Sequence, residues 1–183
     1  LDAVVSNAGI TSPAPLIDLS VSKWDKLLNV NTRATLLLAQ AAYPALKESK
    51  GAFVAVASMS GMGAHPGMGA YSPSKAALIS LCQVLAQEWA CDEINVNTVS
   101  PGMIRTPLTQ KVYENNQIAK ERAALVPWGR VGNPEDISNV ISFLLSPEAN
   151  YITGQNILVD GGFVDSLYRH IPGLPDSSEI DKT

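Results

Sequence analysis

Short apolar runs alternate with longer amphipathic stretches along this chain. Residues 4–6 have the pattern of a short strand, closed by the turn Asn7-Ala8-Gly9, and residues 10–20 carry Pro13 and Pro15 and read as loop. Ser22 with Asp25 three positions on is an acidic variant of the capping box. Apolar residues at 24, 27, 28, 30, 34, 37, 38 and 41 then follow a 3.6-residue period. One long helix over 22–48 is therefore expected, with Pro44 kinking or thinning its last turns. Residues 52–57 are continuously apolar, as in a strand buried on both faces of a parallel sheet. A loop with Gly61, Gly63, Gly67 and Gly69 leads to a helix over about 70–90. A strand over 94–99 ends at Pro101-Gly102, and 106–127 reads as a mobile, helix-containing excursion. Pro134-Glu135-Asp136 opens another helix, with Pro in the first turn and acids at the positive dipole end. Residues 157–159 form a last strand before Asp160-Gly161-Gly162. Four strands with three long helical connections predict an α/β domain over 1–163, built on a parallel sheet with right-handed crossovers. Residues 164–183 are expected to be a flexible C-terminal arm.

Composition narrows the partners. The 183 residues are 46% hydrophobic and 16% charged, the balance of a globular chain. A net charge of −4 argues against non-specific binding to nucleic acid or anionic membrane. No apolar run approaches the ~18 residues of a membrane span, and no signal-peptide pattern is present. Cys82 and Cys91, nine positions apart, fall on opposite faces of a helix and cannot pair within it. Two scattered cysteines, with no CxxC, suggest a reducing, cytoplasmic setting, and with His65 and His170 as the only histidines no metal site is expected. The chain opens on Leu1, directly in a strand and without Met, so a fragment is expected.

Ligands of open α/β sheets bind at the carboxyl ends of strands. Here those ends carry Asn7-Ala8-Gly9, then Ser58, then Ser100-Pro101-Gly102 with Thr106. Tyr71 and Lys75 stand four apart on a helix and share a face. A neighbouring ammonium lowers a phenol pKa and makes Tyr71 a usable general acid/base. Ser58, thirteen residues earlier, can reach the same substrate oxygen across the glycine-rich loop. An isolated YxxxK recurs by chance, and its bland reading is a surface pair. Asn31 alone is a polar interruption in a helix, Asn7-Ala8-Gly9 alone a turn, Pro101-Gly102 alone punctuation, and Thr106 a helix N-cap. His65 reads as a solvent-exposed loop residue. The glycine-rich loop fails G-x-G-x-x-G, and no G-x-S-x-G elbow supports a serine hydrolase.

Taken together, Ser6-Asn7-Ala8-Gly9, Asn31, Ser58, Tyr71/Lys75, Pro101-Gly102 with Thr106, and Gly154-Gln155 before Asp160-Gly161-Gly162 resemble the C-terminal two-thirds of a short-chain dehydrogenase/reductase. Ser6 replaces the first Asn of that family's NNAG motif. The resemblance implies a Rossmann-like, doubly wound parallel sheet of which strands 4 to 7 are retained. The N-terminal βαβαβ part, with its glycine-rich phosphate turn, is absent, leaving the first strand with an open edge. It implies an NAD(P)-dependent oxidoreductase interconverting a secondary alcohol and a ketone, NAD or NADP remaining open. In a Ser-Tyr-Lys triad, Tyr71 would exchange the proton and Ser58 orient the oxygen. Lys75 would lower the Tyr71 pKa and bind the nicotinamide ribose. Asn31 would hold a water of a proton relay. Asn7, Ala8 and Gly9 would line the adenosine side of the cofactor, and Pro101, Gly102, Ile104 and Thr106 its nicotinamide end. The substrate would be a polyol, a sugar or another small alcohol. The alternatives are a 3-oxoacyl-thioester, or an inactive fragment serving only assembly. The assembly implied is a homotetramer or homodimer, through the helices at 22–48 and 70–90 and a second surface at 134–146 with the last strand.

Overall fold

The computed structural model describes residues 1–172. Its centre is a parallel sheet of β1 (Ala3–Ser6), β2 (Ala52–Val56), β3 (Asn95–Pro101) and β4 (Asn156–Val159), in that spatial order. Side chains alternate across a strand, so β2, buried on both faces, feeds two cores. Phe53 and Ala55 pack with Leu46, Leu78, Leu85 and Trp89 on one side. Val54 packs with Val99, Ile104, Ile137 and Leu144 on the other. β1 is half open, with Val5 exposed, as expected of an edge strand.

The long first helix is not uniform. It divides into α1 (Val21–Leu28), a π-helical turn at Asn29–Arg33, and α2 (Ala34–Ser49). α2 runs through Pro44, which withholds one N–H without ending the helix. The N-cap is Ser20 rather than the expected Ser22, because Ser20 is the extended residue whose hydroxyl accepts from the Lys23 N–H. α3 (Tyr71–Trp89) covers the same side of the sheet, and α6 (Pro134–Leu144) covers the other. The α6 start is built as expected, with Pro134 at the first position and a capping box between Asn133 and Asp136. Arg130 chelates the Asp136 carboxylate at 2.7 and 2.8 Å and, with the Asn133 N–H, holds that carboxyl well below its usual range.

β3 hides polar residues that its strand pattern does not explain. Asn97, Thr98 and Ser100 are buried. Asn97 donates to the Ile152 carbonyl at 2.7 Å and accepts from the Gln155 N–H, and the two hydroxyls donate to Asn156 Oδ1. Buried polar groups need such partners, and here the partners pin β4 to the sheet.

The excursion after β3 contains α4 (Gln110–Tyr113) and α5 (Asn116–Leu125). α4 is N-capped by Thr109, not by Thr106 as expected, since the chain first turns through residues 106–109. Of the expected arm at 164–183, a 3-10 turn at Leu167–His170 is seen, and 173–183 lie outside the described residues. Cys82 is buried, with its thiol pushed up to about 12, and Cys91 is exposed beyond the end of α3. Among the described residues, no helix is long and apolar enough to cross a membrane.

Candidate active site

Ser58 follows the C-terminal end of β2 in extended backbone and caps the 3-10 turn Met59–Gly61, its hydroxyl accepting from the Ser60 N–H at 3.1 Å. That turn lies so close to α3 that a Cβ on Gly61 would come within 2.8 Å of the Lys75 backbone. The absence of a side chain there lets the Ser58 turn seat on the helix that carries Tyr71 and Lys75.

Lys75 is 3% exposed. Its ammonium donates to the Val56 carbonyl at 2.8 Å and lies 5.9 Å from the centroid of the Tyr71 ring. Burial lowers its pKa to about 8 from its ordinary 10.5, because taking the cation out of water disfavours it. Tyr71 departs from expectation: its phenol is raised above its ordinary 10, not lowered. Desolvation outweighs the pull of the Ser58 hydroxyl, and the ammonium is turned to the backbone of β2.

Asn31 is 1% exposed and sits within the π turn. Its Oδ1 accepts from the Ile10 N–H at 2.8 Å, and its Nδ2 donates to the Ile10 carbonyl and to Ser74 Oγ, both at 3.0 Å. Both amide hydrogens are thus engaged, and one oxygen lone pair is left for a water. Asn31 is first a staple joining the loop after β1 to the first turn of α3. Thr32 supports it by donating to the Ser74 carbonyl at 2.8 Å, and Ser74 donates to the Tyr71 carbonyl at 2.7 Å. A π turn inserts one residue into the helix, and such turns recur at functional sites.

The loop Asn7-Ala8-Gly9 is exposed at the end of β1. A Cβ on Gly9 would lie 3.4 Å from both the Lys75 ammonium and Asn31 Oδ1, so the loop runs directly over the buried lysine. Pro101 pairs with Val159, and Gly102 abuts Asp160 so closely that a Cβ would lie 2.4 Å from that residue's own. Ile104 is buried in the α6-side core, which leaves mainly its backbone for a ligand. Thr106 is half-buried, and its N–H donates to Thr109 Oγ1 at 3.0 Å. The structure therefore brings Asn31, Ser58, Tyr71, Lys75 and Gly9 into one cluster. Pro101, Gly102, Ile104 and Thr106 lie at and beyond the end of β3.

Sequence reasoning missed Thr32 and Ser74, although Ser74 lies inside the Tyr71–Lys75 segment and faces Asn31. It also missed the contact between Ser60 Oγ and His65 Nδ1 at 3.0 Å, which holds the exposed His65 at the cleft rather than free in solvent. Beside Ser58 opens a cleft of about 380 Å3. Met59, Ser60 and His65 line one side, with Met103, Arg122 and Leu125 contributing from the segments after β3.

A family model described as Enoyl-(Acyl carrier protein) reductase matches residues 1–164. The chain belongs to the short-chain dehydrogenase/reductase family. It is 41% identical over 166 residues to the 3-oxoacyl-[acyl-carrier-protein] reductase FabG of Thermotoga maritima, covering 90% of this chain and 66% of that protein. It is 40% identical over 161 residues to the (3R)-3-hydroxyacyl-CoA dehydrogenase of Mus musculus, covering 87% and 61%. Among solved structures, a 4-hydroxyisoleucine dehydrogenase mutant complexed with NADH and succinate superposes with a TM-score of 0.85 at 36% identity, over 90% of this chain and 68% of that one. A structure from Agrobacterium tumefaciens with bound NADP, whose description reads "putative 2-deoxy-D-gluconate 3-dehydrogenase", gives 0.84 at 33% identity, over 90% and 68%. The chain spans about two-thirds or less of the length of the curated relatives named here. The sheet is thus a Rossmann-like one of which this chain carries four parallel strands.

Proposed function

We propose that residues 1–163 carry the catalytic and substrate-binding portion of an NAD(P)-dependent oxidoreductase that interconverts a secondary alcohol and a ketone. The observation that carries this reading is the Tyr71 phenol beside the Ser58 hydroxyl, with the buried Lys75 ammonium next to its ring. Structures of relatives hold NADP or NADH. The exposed loop at Asn7-Ala8-Gly9, with Gly9 against Lys75, offers backbone and an ammonium to such a cofactor. Asn7, Ala8 and Gly9 would hold its adenosine side, Lys75 the nicotinamide ribose, and Pro101, Gly102, Ile104 and Thr106 the nicotinamide end. The cofactor, when bound, supplies or accepts the hydride at the substrate carbon.

The chain's own residues handle the oxygen and the proton. Ser58 donates to the substrate oxygen and fixes its distance from Tyr71. Tyr71, protonated at neutral pH and held more firmly so by burial, gives its proton to the developing alkoxide in the reductive direction. In the oxidative direction the phenol must first lose that proton, so oxidation gains from rising pH. The Lys75 cation beside the ring favours the phenolate that remains after proton donation. Asn31 keeps the loop over Lys75 and leaves one lone pair for a relay water.

The similarity to the sugar-acid and amino-acid dehydrogenases supports a small hydroxylated substrate, and the similarity to the Thermotoga protein supports a 3-oxoacyl-thioester instead. Exposed Leu37 and Leu38 on α2 and Val84 on α3 support self-assembly through those helices. The test is Tyr71→Phe in the enzyme that carries this chain. Turnover of secondary alcohols falls by about 1,000-fold or more, as loss of a general acid/base requires, while NAD(H) or NADP(H) still binds. Retained turnover in that variant overturns the assignment.

A further inference from the structure

The cleft beside Ser58 has a chemical asymmetry. Met59, Met103 and Leu125 give it apolar walls, and its polar side chains are Ser60, His65 and Arg122. None of its lining residues is acidic, although the whole chain carries a net charge of −4. Arg122 is half-buried on α5, and among the described residues no carboxylate pairs with its guanidinium. Among the described residues its guanidinium lies over the Tyr113 ring, 5.6 Å from guanidinium carbon to ring centroid. The Tyr113 hydroxyl is itself buried with no hydrogen-bond partner among the described residues. A guanidinium over an aromatic ring, partly removed from water and with no counter-charge among the described residues, is arranged to receive a planar anion through two parallel N–H bonds.

We propose that Arg122 is a specificity-determining residue that anchors a carboxylate on the substrate, with its apolar stem against Met59, Met103 and Leu125 and its reacting oxygen toward Ser58 and Tyr71. This rests on the oxidoreductase reading above and adds the substrate class: a small hydroxy or oxo acid. A monocarboxylate matches the single guanidinium better than a phosphate dianion, since the other polar groups of the cleft, Ser60 and His65, already contact one another. The bland role for Arg122 is to brace α4 against α5 through Tyr113. Arg105 separates the two, because it lies over the same ring at 5.3 Å from the centroid and does not line the cleft.

The experiment compares two alcohols that differ by the charged group, 3-hydroxybutyrate and 2-butanol, in the enzyme that carries this chain. The KM for 3-hydroxybutyrate is expected to be about tenfold or more below that for 2-butanol, the size of one charge-assisted hydrogen-bonded contact. Arg122→Ala removes that preference, Arg122→Lys restores part of it, and Arg105→Ala leaves it intact. Equal KM values for the two alcohols in the unaltered enzyme, or an Arg122→Ala variant that raises both alike, overturn the proposal. A binding measurement needs no turnover: saturation-transfer NMR should show butyrate outcompeting butyramide in the unaltered protein and not in Arg122→Ala. If neither alcohol is turned over, the oxidoreductase reading fails. The butyrate result still decides the anchor, equal binding of acid and amide refuting it.

Discussion

Two walls of the candidate site, the Ser58–Tyr71–Lys75 cluster and the α5 side of the adjoining cleft, are built differently. On the first, Asn31, Ser58, Ser74 and Lys75 are buried and linked by side-chain hydrogen bonds to three separate segments of chain. On the second, α5 has no buried residue, and Arg122 lies over the Tyr113 ring. Proton transfer tolerates little displacement, so its groups need locked rotamers and satisfied partners. An exposed segment such as α5 tolerates variation and can change without disturbing the sheet. The difference teaches that the buried polar cluster and the α5 side of the cleft are separated in this chain by packing density as well as by residue type.

Asn31→Leu should break the comparison most sharply. It removes three hydrogen bonds and strands the Ile10 amide group, so a loss of about 3 kcal/mol in urea unfolding is expected, together with turnover. A variant of unchanged stability would show that the staple is not what holds the first wall together.

Lys75→Met comes next. Below pH 8 the folded protein carries a buried ammonium at a cost of up to about 3 kcal/mol, set by the fall of its pKa from 10.5 to about 8. The folded pKa lies below the unfolded one, so the unfolded state binds more protons between those values and stability rises with pH across that window. Lys75→Met should therefore melt a few degrees higher at pH 7, with the gain shrinking between pH 8 and 10.5, while activity is lost. Thermal melts across that pH range check the sign.

Leu125→Ala, on the second wall, should have the smallest effect. Leu125 is 43% exposed, so stability should change by less than about 0.5 kcal/mol. KM should shift a few-fold with kcat little altered. A large loss of stability would place α5 among the rigid parts of the molecule.

The Tyr71–Lys75 pair was legible because i, i+4 proximity is local helical geometry. Ser58 was legible only through the surrounding strand-end pattern, since its approach to Tyr71 depends on Gly61 meeting the Lys75 backbone. The π turn at Asn29–Arg33 was not legible, because its residues keep an ordinary helical pattern and one inserted residue leaves little trace in periodicity. The N-cap of α1 was misplaced by two residues because Ser20 and Ser22 are equally good caps by type. Backbone conformation chose Ser20.

By itself the sequence determined the element order, the parallel sheet and the candidate residues Ser58, Tyr71 and Lys75. Hydrophobic period and helical spacing are properties of neighbouring positions, so a single chain displays them. Tertiary structure decided the direction of the Tyr71 shift, the anchoring of Asn31 to Ile10 and Ser74, and the company of Arg122. Each depends on desolvation or on partners supplied by distant segments, and burial is created only when β2, α3 and the loop after β1 close over one another.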